Sequence, residues 1–496
     1  MSKVTQWKAM TVMTVDGFGY ALAKSSQVFL IEQSLCRNFY SISDPGVILP
    51  DGSVPEDLCK RKDLQSKVAL MSSTFDFTLL IASFFATPVF THLALTVGKR
   101  TVLLINSMSY MLRMILFTAV VYFHTVTDIR WVLLLWVLEL VGGGMPVREV
   151  LLWMYMAESV PEDGLTGAFN ILSSFLIGMM SVGTFIGSML LRHHVWVLCS
   201  IVICVCAIVV LLICLLPNGP KPLYPDERNI LAEEEGTQHS PISESSSLLS
   251  GEDVHAASPR PPALWKSVLR ASTVDLYLSL QLIVQALRNP LTLRVMSMFF
   301  TYTLAGTVSS TSQQWASSTF HASLASIDKI TSMEQIMSAI FLLILPIVSQ
   351  RLLRPRLRGK QDTDLWVIMG SLTVGAFGAL IISMAPSLKI YALGVAVGAC
   401  AVGMADSLRS FATSALSDTE SLQSLYMCIR TLQSLAAIVG TPLWGGIFLL
   451  ILKSGGALPP GFLYFSTSLV FLFTLYLAIP LRKYRLGQIE MEPCVR

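Results

Sequence analysis

The sequence predicts an all-α polytopic membrane protein, with twelve transmembrane helices arranged as two six-helix bundles. Three observations point there. Of the 496 residues, 53% are hydrophobic and only 14% are charged, where a soluble protein carries roughly 25% charged residues. The mean hydropathy is +0.63. The apolar residues also gather into runs of about 20 or more, the length a helix needs to cross a hydrocarbon core roughly 30 Å thick. Lipid offers the backbone no hydrogen-bond partner, so each run must satisfy itself as a helix. The same composition excludes a soluble multidomain enzyme.

Six runs fall in the first half, near 8–32, 67–94, 101–123, 131–157, 165–190 and 195–216. Six more follow near 291–316, 328–350, 364–384, 389–411, 423–451 and 462–481. The first run is the weakest, because Asp16 and Lys24 interrupt it, and the seventh is unusually rich in Ser, Thr and Gln. The domain plan is an N-terminal bundle over 1–216 with an outer loop at 33–66, a linker over 217–290, a C-terminal bundle over 291–482 and a tail over 483–496. The linker holds the acidic run Glu233 to Glu235, a serine cluster and Pro259, Pro261 and Pro262. Such a segment cannot bury enough apolar surface to fold alone, so disorder is expected, ending in an amphipathic helix along the inner membrane face. Nothing at the N-terminus reads as a removable signal peptide.

Lys and Arg set the orientation. With the N-terminus inside, the short cytoplasmic segments carry Lys3, Lys8, Lys99, Arg100, Arg351, Arg354, Arg356, Arg358, Lys360, Arg482, Lys483 and Arg485, while most opposite loops hold one basic residue each. Both termini are therefore expected in the cytoplasm. The first outer loop is the exception, but its acidic residues offset its basic ones. The formal charge of +3 and the absence of a long basic tract argue against nucleic acid as a partner. Lipid, a small-molecule substrate and protons are the expected partners, and the chain is expected to act as a monomer without a cofactor.

The halves also show traces of duplication. Gly142 and Arg148 in the fourth run are spaced as Gly403 and Arg409 are in the tenth, and Val182-Gly183-Thr184 recurs as Val439-Gly440-Thr441. Parallel halves related by an axis along the membrane normal are an established transporter architecture.

On these features the whole chain resembles a major facilitator superfamily transporter. The join of the second and third runs, THLALTVGKRTVLL, is similar to the family's G-x-L-A-D-R-x-G-R-K motif through Gly98, Lys99, Arg100 and Leu103, with Leu95 in place of the acidic residue and Thr91 in place of the first glycine. The fifth run resembles the proton-antiporter pattern through Gly183 and Gly187, with Thr184 and Ser188 in place of the proline and second glycine. The first outer loop, with C-R-x-x-Y from Cys36 to Tyr40 and a later Cys59, resembles a fungal branch distantly similar to the proton-coupled folate transporter group. The resemblance implies alternating access around a midplane cavity and proton-coupled export of a secondary metabolite. The runner-up is uptake of a folate-like or haem-like anion, and a non-transporting nutrient sensor on the same fold is a third reading.

A charge at the bilayer centre costs about 3 kcal/mol or more, so each needs a partner or water. Counting depth along the helices puts Asp16 level with Arg148, and Lys24 level with Glu139. Both pairs are expected to be cavity pairs, with structural bridges as the alternative. Asp76 and Arg113 share a depth and read as a structural bridge. Asp406 and Arg409, three apart on one helix face, lie near the inner end with Arg430 and read as an inner gate or, equally, as a solvated helix end. Carboxylates such as Asp16 and Glu139 would titrate near neutral pH if desolvated beside a movable cation, which motivates proton coupling. In the seventh run Thr307, Ser310, Gln313 and Gln314 are candidates to face water and substrate, with Tyr20 and Trp315 as aromatic contacts for a ring. Gly142 to Pro146 strips side chains and a backbone donor from the fourth run, as a moving gate or a tight packing seam.

Cys36 and Cys59 share the outer loop, where an oxidising compartment favours a disulfide. The remaining cysteines, such as Cys199, Cys204, Cys206 and Cys214, are too scattered for a metal motif and read as small lipid-compatible side chains. The plasma membrane is expected, and Glu244 to Leu249 matches an acidic dileucine sorting pattern that makes a vacuolar or endosomal membrane the alternative. His124 and Asp128 match an acyltransferase spacing but sit in a short loop. No nucleotide-binding loop, zinc cluster or nucleophile elbow is present in the sequence.

Overall fold

The computed structural model describes residues 3–49, 52–157, 165–191, 194–217, 290–349, 351, 354–357, 360–416, 422–454 and 456–491. These are almost entirely helical, with no strand among them. The first six spans are α1 (Lys3–Ser43), α2 (Lys62–Val97), α3 (Lys99–Tyr122), α4a (Trp136–Gly142) continued by α4b (Gly144–Ala157), α5 (Leu165–Leu191) and α6 (Val195–Cys214). The second six are α7a (Pro290–Gly306) with α7b (Ser309–Phe320), α8 (Leu324–Val348), α9 (Lys360–Ser383), α10a (Leu388–Ala399) with α10b (Met404–Leu416), α11 (Leu422–Lys453) and α12 (Phe462–Met491).

Ten spans among the described residues are long and apolar enough to cross a membrane on length and composition alone. The two that fall short are α1 and α7, the runs that the sequence marks as interrupted and polar. α12 continues to Met491, so the tail expected from 483 is helical over most of its length. The linker from 218 to 289, with its amphipathic stretch and dileucine pattern, lies outside the described residues.

Each half repeats the same packing. α1 lies against α5 and α6 and α3 against α6; in the second half α7a lies against α11 and α12 and α9 against α12. Helices four and ten are both broken, at Gly143 and over 400–403. Two seams join the halves, α5 with α8 and α2 with α11. Lipid removes the hydrophobic drive for helix association, so small residues at the interfaces decide how closely backbones approach. Gly183 shows this: a Cβ there would lie 2.6 Å from the Phe18 carbonyl oxygen of α1. Gly445 of α11 does the same against Ser73 of α2. In the α5 to α8 seam Ser181 Oγ donates to the Ser332 carbonyl at 2.7 Å and Ser332 Oγ donates back to the Ser181 carbonyl at 3.0 Å.

Each half encloses its own apolar core. Val102, Leu151 and Ile213 anchor the first, and Phe299, Ile368 and Leu408 the second. A third cluster around Trp315, Tyr391, Trp444 and Tyr464 draws in Ala69 of α2, and so packs part of the α2 to α11 seam.

Candidate functional site

A buried layer of charge lies inside the N-terminal half. Asp16 of α1 pairs with Arg148 of α4b, and Arg113 of α3 pairs with Glu139 of α4a at 2.9 Å. Tyr110 lies between the two guanidinium groups, with Arg148 Cζ 4.5 Å and Arg113 Cζ 4.8 Å from its ring centre. Lys24 of α1 pairs with Asp76 of α2 at 3.1 Å. The bridges expected between Lys24 and Glu139 and between Asp76 and Arg113 are thus corrected. Partners are exchanged within one layer, because rise per residue fixes depth and leaves the direction around the helix undetermined.

The glycines of helix four shape this layer. Gly143 (φ +82°) and Gly144 (φ +70°) adopt left-handed backbone and break the helix. Asn106 Nδ2 of α3 donates to the carbonyls of Gly142 and Gly144 at 2.6 and 2.7 Å, supplying partners that the break removes. A Cβ on Gly144 would collide with the Glu139 carboxylate and Ser83.

Between the halves lies a cavity of about 490 Å³. α1 contributes Tyr20, Lys24 and Ser25, α5 contributes Met180 and Thr184, and the second half contributes Tyr302, Gln313, Glu334, Tyr391, Tyr464 and Phe471. Asp328 of α8, beside it, is 2% exposed and accepts a hydrogen bond from Gln313 Nε2 at 2.7 Å. Glu334 lines the cavity, and its carboxylate has no hydrogen bond or cation among the described residues.

Contacts across the halves lie at both ends. Toward the end that holds the termini, Arg430 of α11 pairs with Glu149 of α4b. At the other end a disulfide joins Cys36 and Cys59, with Cα atoms 5.5 Å apart. Lys60 there is buried between Glu32 at 2.8 Å and Glu56 at 3.0 Å. Glu56 Oε1 also accepts from the backbone N–H of Leu324 at 2.8 Å, so a loop of the first half caps the first turn of α8 in the second.

Several candidates take other places. Thr307 packs against Gly440 of α11, and neither it, Ser310 nor Gln314 lines the cavity; of the four polar candidates in the seventh run only Gln313 does. Tyr302, Ala305, Gly306, Ser309, Ser312 and Gln313 line the cavity at helical spacing across the break after Gly306, and Thr307, Ser310 and Gln314 each follow a lining residue by one position, about 100° around the helix. Trp315 is 1% exposed and donates Nε1 to the Pro460 carbonyl at 2.7 Å, so it is a packing residue rather than a ligand contact. Asp16, Glu139 and Arg148 lie behind the cavity wall rather than in it. Asp406 and Arg409 pair at 3.0 Å, and Arg430 leaves them for Glu149. Gly98 (φ +100°) ends α2; Arg100 donates to the Cys214 carbonyl at 2.6 Å, and Lys99 Nζ sits 5.9 Å from the Tyr155 ring centre. These motif residues tie α3 to the ends of α6 and α4b, where cations suit a helix C-terminus. Glu334 is absent from the sequence candidates, although a lone carboxylate amid an apolar run was the signal that marks it.

Fold and site together define a polytopic helical membrane protein of two matched halves with a cavity between them. The sequence model of the Major Facilitator Superfamily matches residues 61–441, and the chain belongs to that family. Among curated proteins it is 26% identical over 211 residues to the MFS efflux pump atnC of Emericella nidulans, a match covering 42% of this chain and 41% of that protein. The chain thus matches about two fifths of that relative's length. Among solved structures, the nucleoside transporter NupG superposes with a TM-score of 0.58 at 12% identity, over 95% of this chain and 99% of that one. The human organic anion transporter MFSD10 (TETRAN) superposes with a TM-score of 0.55 at 15% identity, over the same shares of 95% and 99%. At these identities the likeness is one of fold.

Proposed function

We propose that the chain is a secondary active transporter that exports a small organic molecule by alternating access, driven by protons. The observation that carries this reading is the cavity itself, which both halves line and which lies between cross-half contacts at either end. Rocking of one half against the other breaks one set of contacts while keeping the other, exposing the cavity to one side at a time. Export is supported by the relative named as an efflux pump. Proton coupling is supported by the membrane carboxylates. Asp16 and Glu139 are engaged by arginines, so the carboxylate with open access to the cavity is Glu334, and the proton is assigned there. The excess of Lys and Arg in the short loops on the terminus-bearing side supports cytoplasmic termini, and the plasma membrane is the proposed site.

The test is metabolite profiling of a deletion strain. A compound retained in cells and lost from the medium, and carried by the purified protein into acid-inside vesicles, is the expected result. Unchanged distribution of every metabolite, with no flux in vesicles, would overturn export and favour a sensor.

A further inference from the structure

The charge of the cavity says what class of molecule it takes. Among the described residues Lys24 and Glu334 are the charged side chains that line the cavity, and two further carboxylates, Asp76 and Asp328, bond to the lining residues Lys24 and Gln313. Lys24 is neutralised by Asp76 at 3.1 Å. Asp328 accepts from Gln313 and has no cation beside it among the described residues. Glu334 sits about 15 Å along α8 from its first residue, near mid-membrane, and nothing among the described residues satisfies its carboxylate. The titratable groups that face it across the cavity are phenols and one spent amine: Tyr20 and Lys24 of α1, Tyr302 of α7a, Tyr391 of α10a and Tyr464 of α12. Among the described residues α5 presents only Met180 and Thr184 to the cavity.

An unpaired carboxylate in low dielectric must be occupied by a proton or a cation. The surrounding rings add a second preference, because aromatic faces attract positive charge and stack on other rings. An anion meets the reverse, since Lys24, the cation that lines the cavity among the described residues, is already paired. We propose that the cavity binds a small aromatic cation, a quaternary or protonated amine bearing a ring, whose positive charge takes the place of a proton on Glu334. The proton leaves the carboxyl for water as the cation arrives, so the net charge of the cavity is unchanged. Release of the cation on the far side lets a proton return, which makes the site an exchanger of one positive charge for another. The inference rests on the transport reading for the cavity's purpose, but its test reads binding alone.

The test uses the full chain in detergent and two probes of one shape and opposite charge, tetraphenylphosphonium and tetraphenylborate. Calorimetry should show saturable binding of the phosphonium with release of one proton at acid pH, and an affinity falling by up to tenfold per pH unit on the acid side. Glu334→Gln should weaken it about tenfold or more and flatten the pH dependence, and Glu334→Asp should keep the pH dependence. Borate binding as tight as phosphonium binding overturns the proposal without any variant. So does wild-type affinity and pH slope in Glu334→Gln. Phosphonium permeates lipid unaided, so transport is read as flux above that of protein-free vesicles: binding through Glu334 with no such excess overturns the transport reading and leaves this one standing, and an excess equal in wild type and Glu334→Gln does the opposite.

Discussion

Arg148 and Glu149 are consecutive in α4b yet hold different halves of the molecule: Arg148 binds Asp16 of α1, and Glu149 binds Arg430 of α11. The brace inside one half and the contact across the cleft therefore share one turn of helix. Any tilt that parts Glu149 from Arg430 pulls on backbone that Arg148 anchors to α1.

Loss of the cross-half pair should favour the state open at the terminus-bearing end. Both side chains are more than a third exposed, at 37% and 40%, so the pair is worth about 1 kcal/mol at most, a population shift of roughly fivefold. Spin labels on the ends of α4b and α11 should report longer distances in Glu149→Gln and Arg430→Ala. The exchanged pair, Glu149→Arg with Arg430→Glu, should restore them. Identical distance distributions in all three would deny the pair a gating role.

Asp16→Asn should be far more damaging than its surface suggests. Arg148 is 2% exposed, and removal of its counter-charge strands a buried guanidinium at a cost of about 3–5 kcal/mol. A marked drop in the thermal midpoint of the purified protein is expected, largely recovered by adding Arg148→Met. Should Asp16→Asn instead keep its stability, the pair is not structural. Should it also keep its pH-dependent transport, Asp16 has no part in coupling.

What the sequence reveals here follows from period and depth. Run lengths and the balance of charge give twelve spans, and even the two weak runs are weak for the stated reasons, Asp16 and Lys24 in one and a polar stretch in the other. Depth places Asp16 opposite Arg148, and loop position places Cys36 near Cys59. Azimuth is what a linear sequence lacks. Lys24 and Glu139 share a level, yet α2 brings Asp76 to the first and α3 brings Arg113 to the second. Azimuth decides the seventh span too, where Thr307, Ser310 and Gln314 turn from the cavity and Gln313 remains.

Gly144→Ala should fail where Gly178→Ala is tolerated. Gly144 holds left-handed backbone, and an added methyl meets Glu139 and Ser83, whereas a Cβ at Gly178 meets nothing within 4 Å. Left-handed backbone alone costs an L residue roughly 1–2 kcal/mol, before the collision displaces Glu139 from Arg113. Monodisperse yield after solubilisation is the measurement. Equal yields would mean that helix four relaxes around the substitution.

Cys36→Ser with Cys59→Ser should lower stability by about 3 kcal/mol through the closure entropy of a loop with sequence separation 23. Reduction of the wild-type protein should reproduce the shift in thermal midpoint. Gln65 Nε2 donates to Glu32 at 2.8 Å and to the Cys59 carbonyl at 2.9 Å, and an unchanged midpoint under both treatments would show that Lys60, Glu32 and Gln65 fasten the loop unaided.

The stapled loop is a peg fixed to one half and merely resting on the other. Its covalent bond and its buried lysine travel with the N-terminal bundle, and the contact identified with the second bundle is the Glu56 cap on Leu324. A nanobody that grips both the loop and the tip of α8 would therefore act as a wedge-lock from the aqueous side, freezing the machine in a single posture without entering the binding chamber.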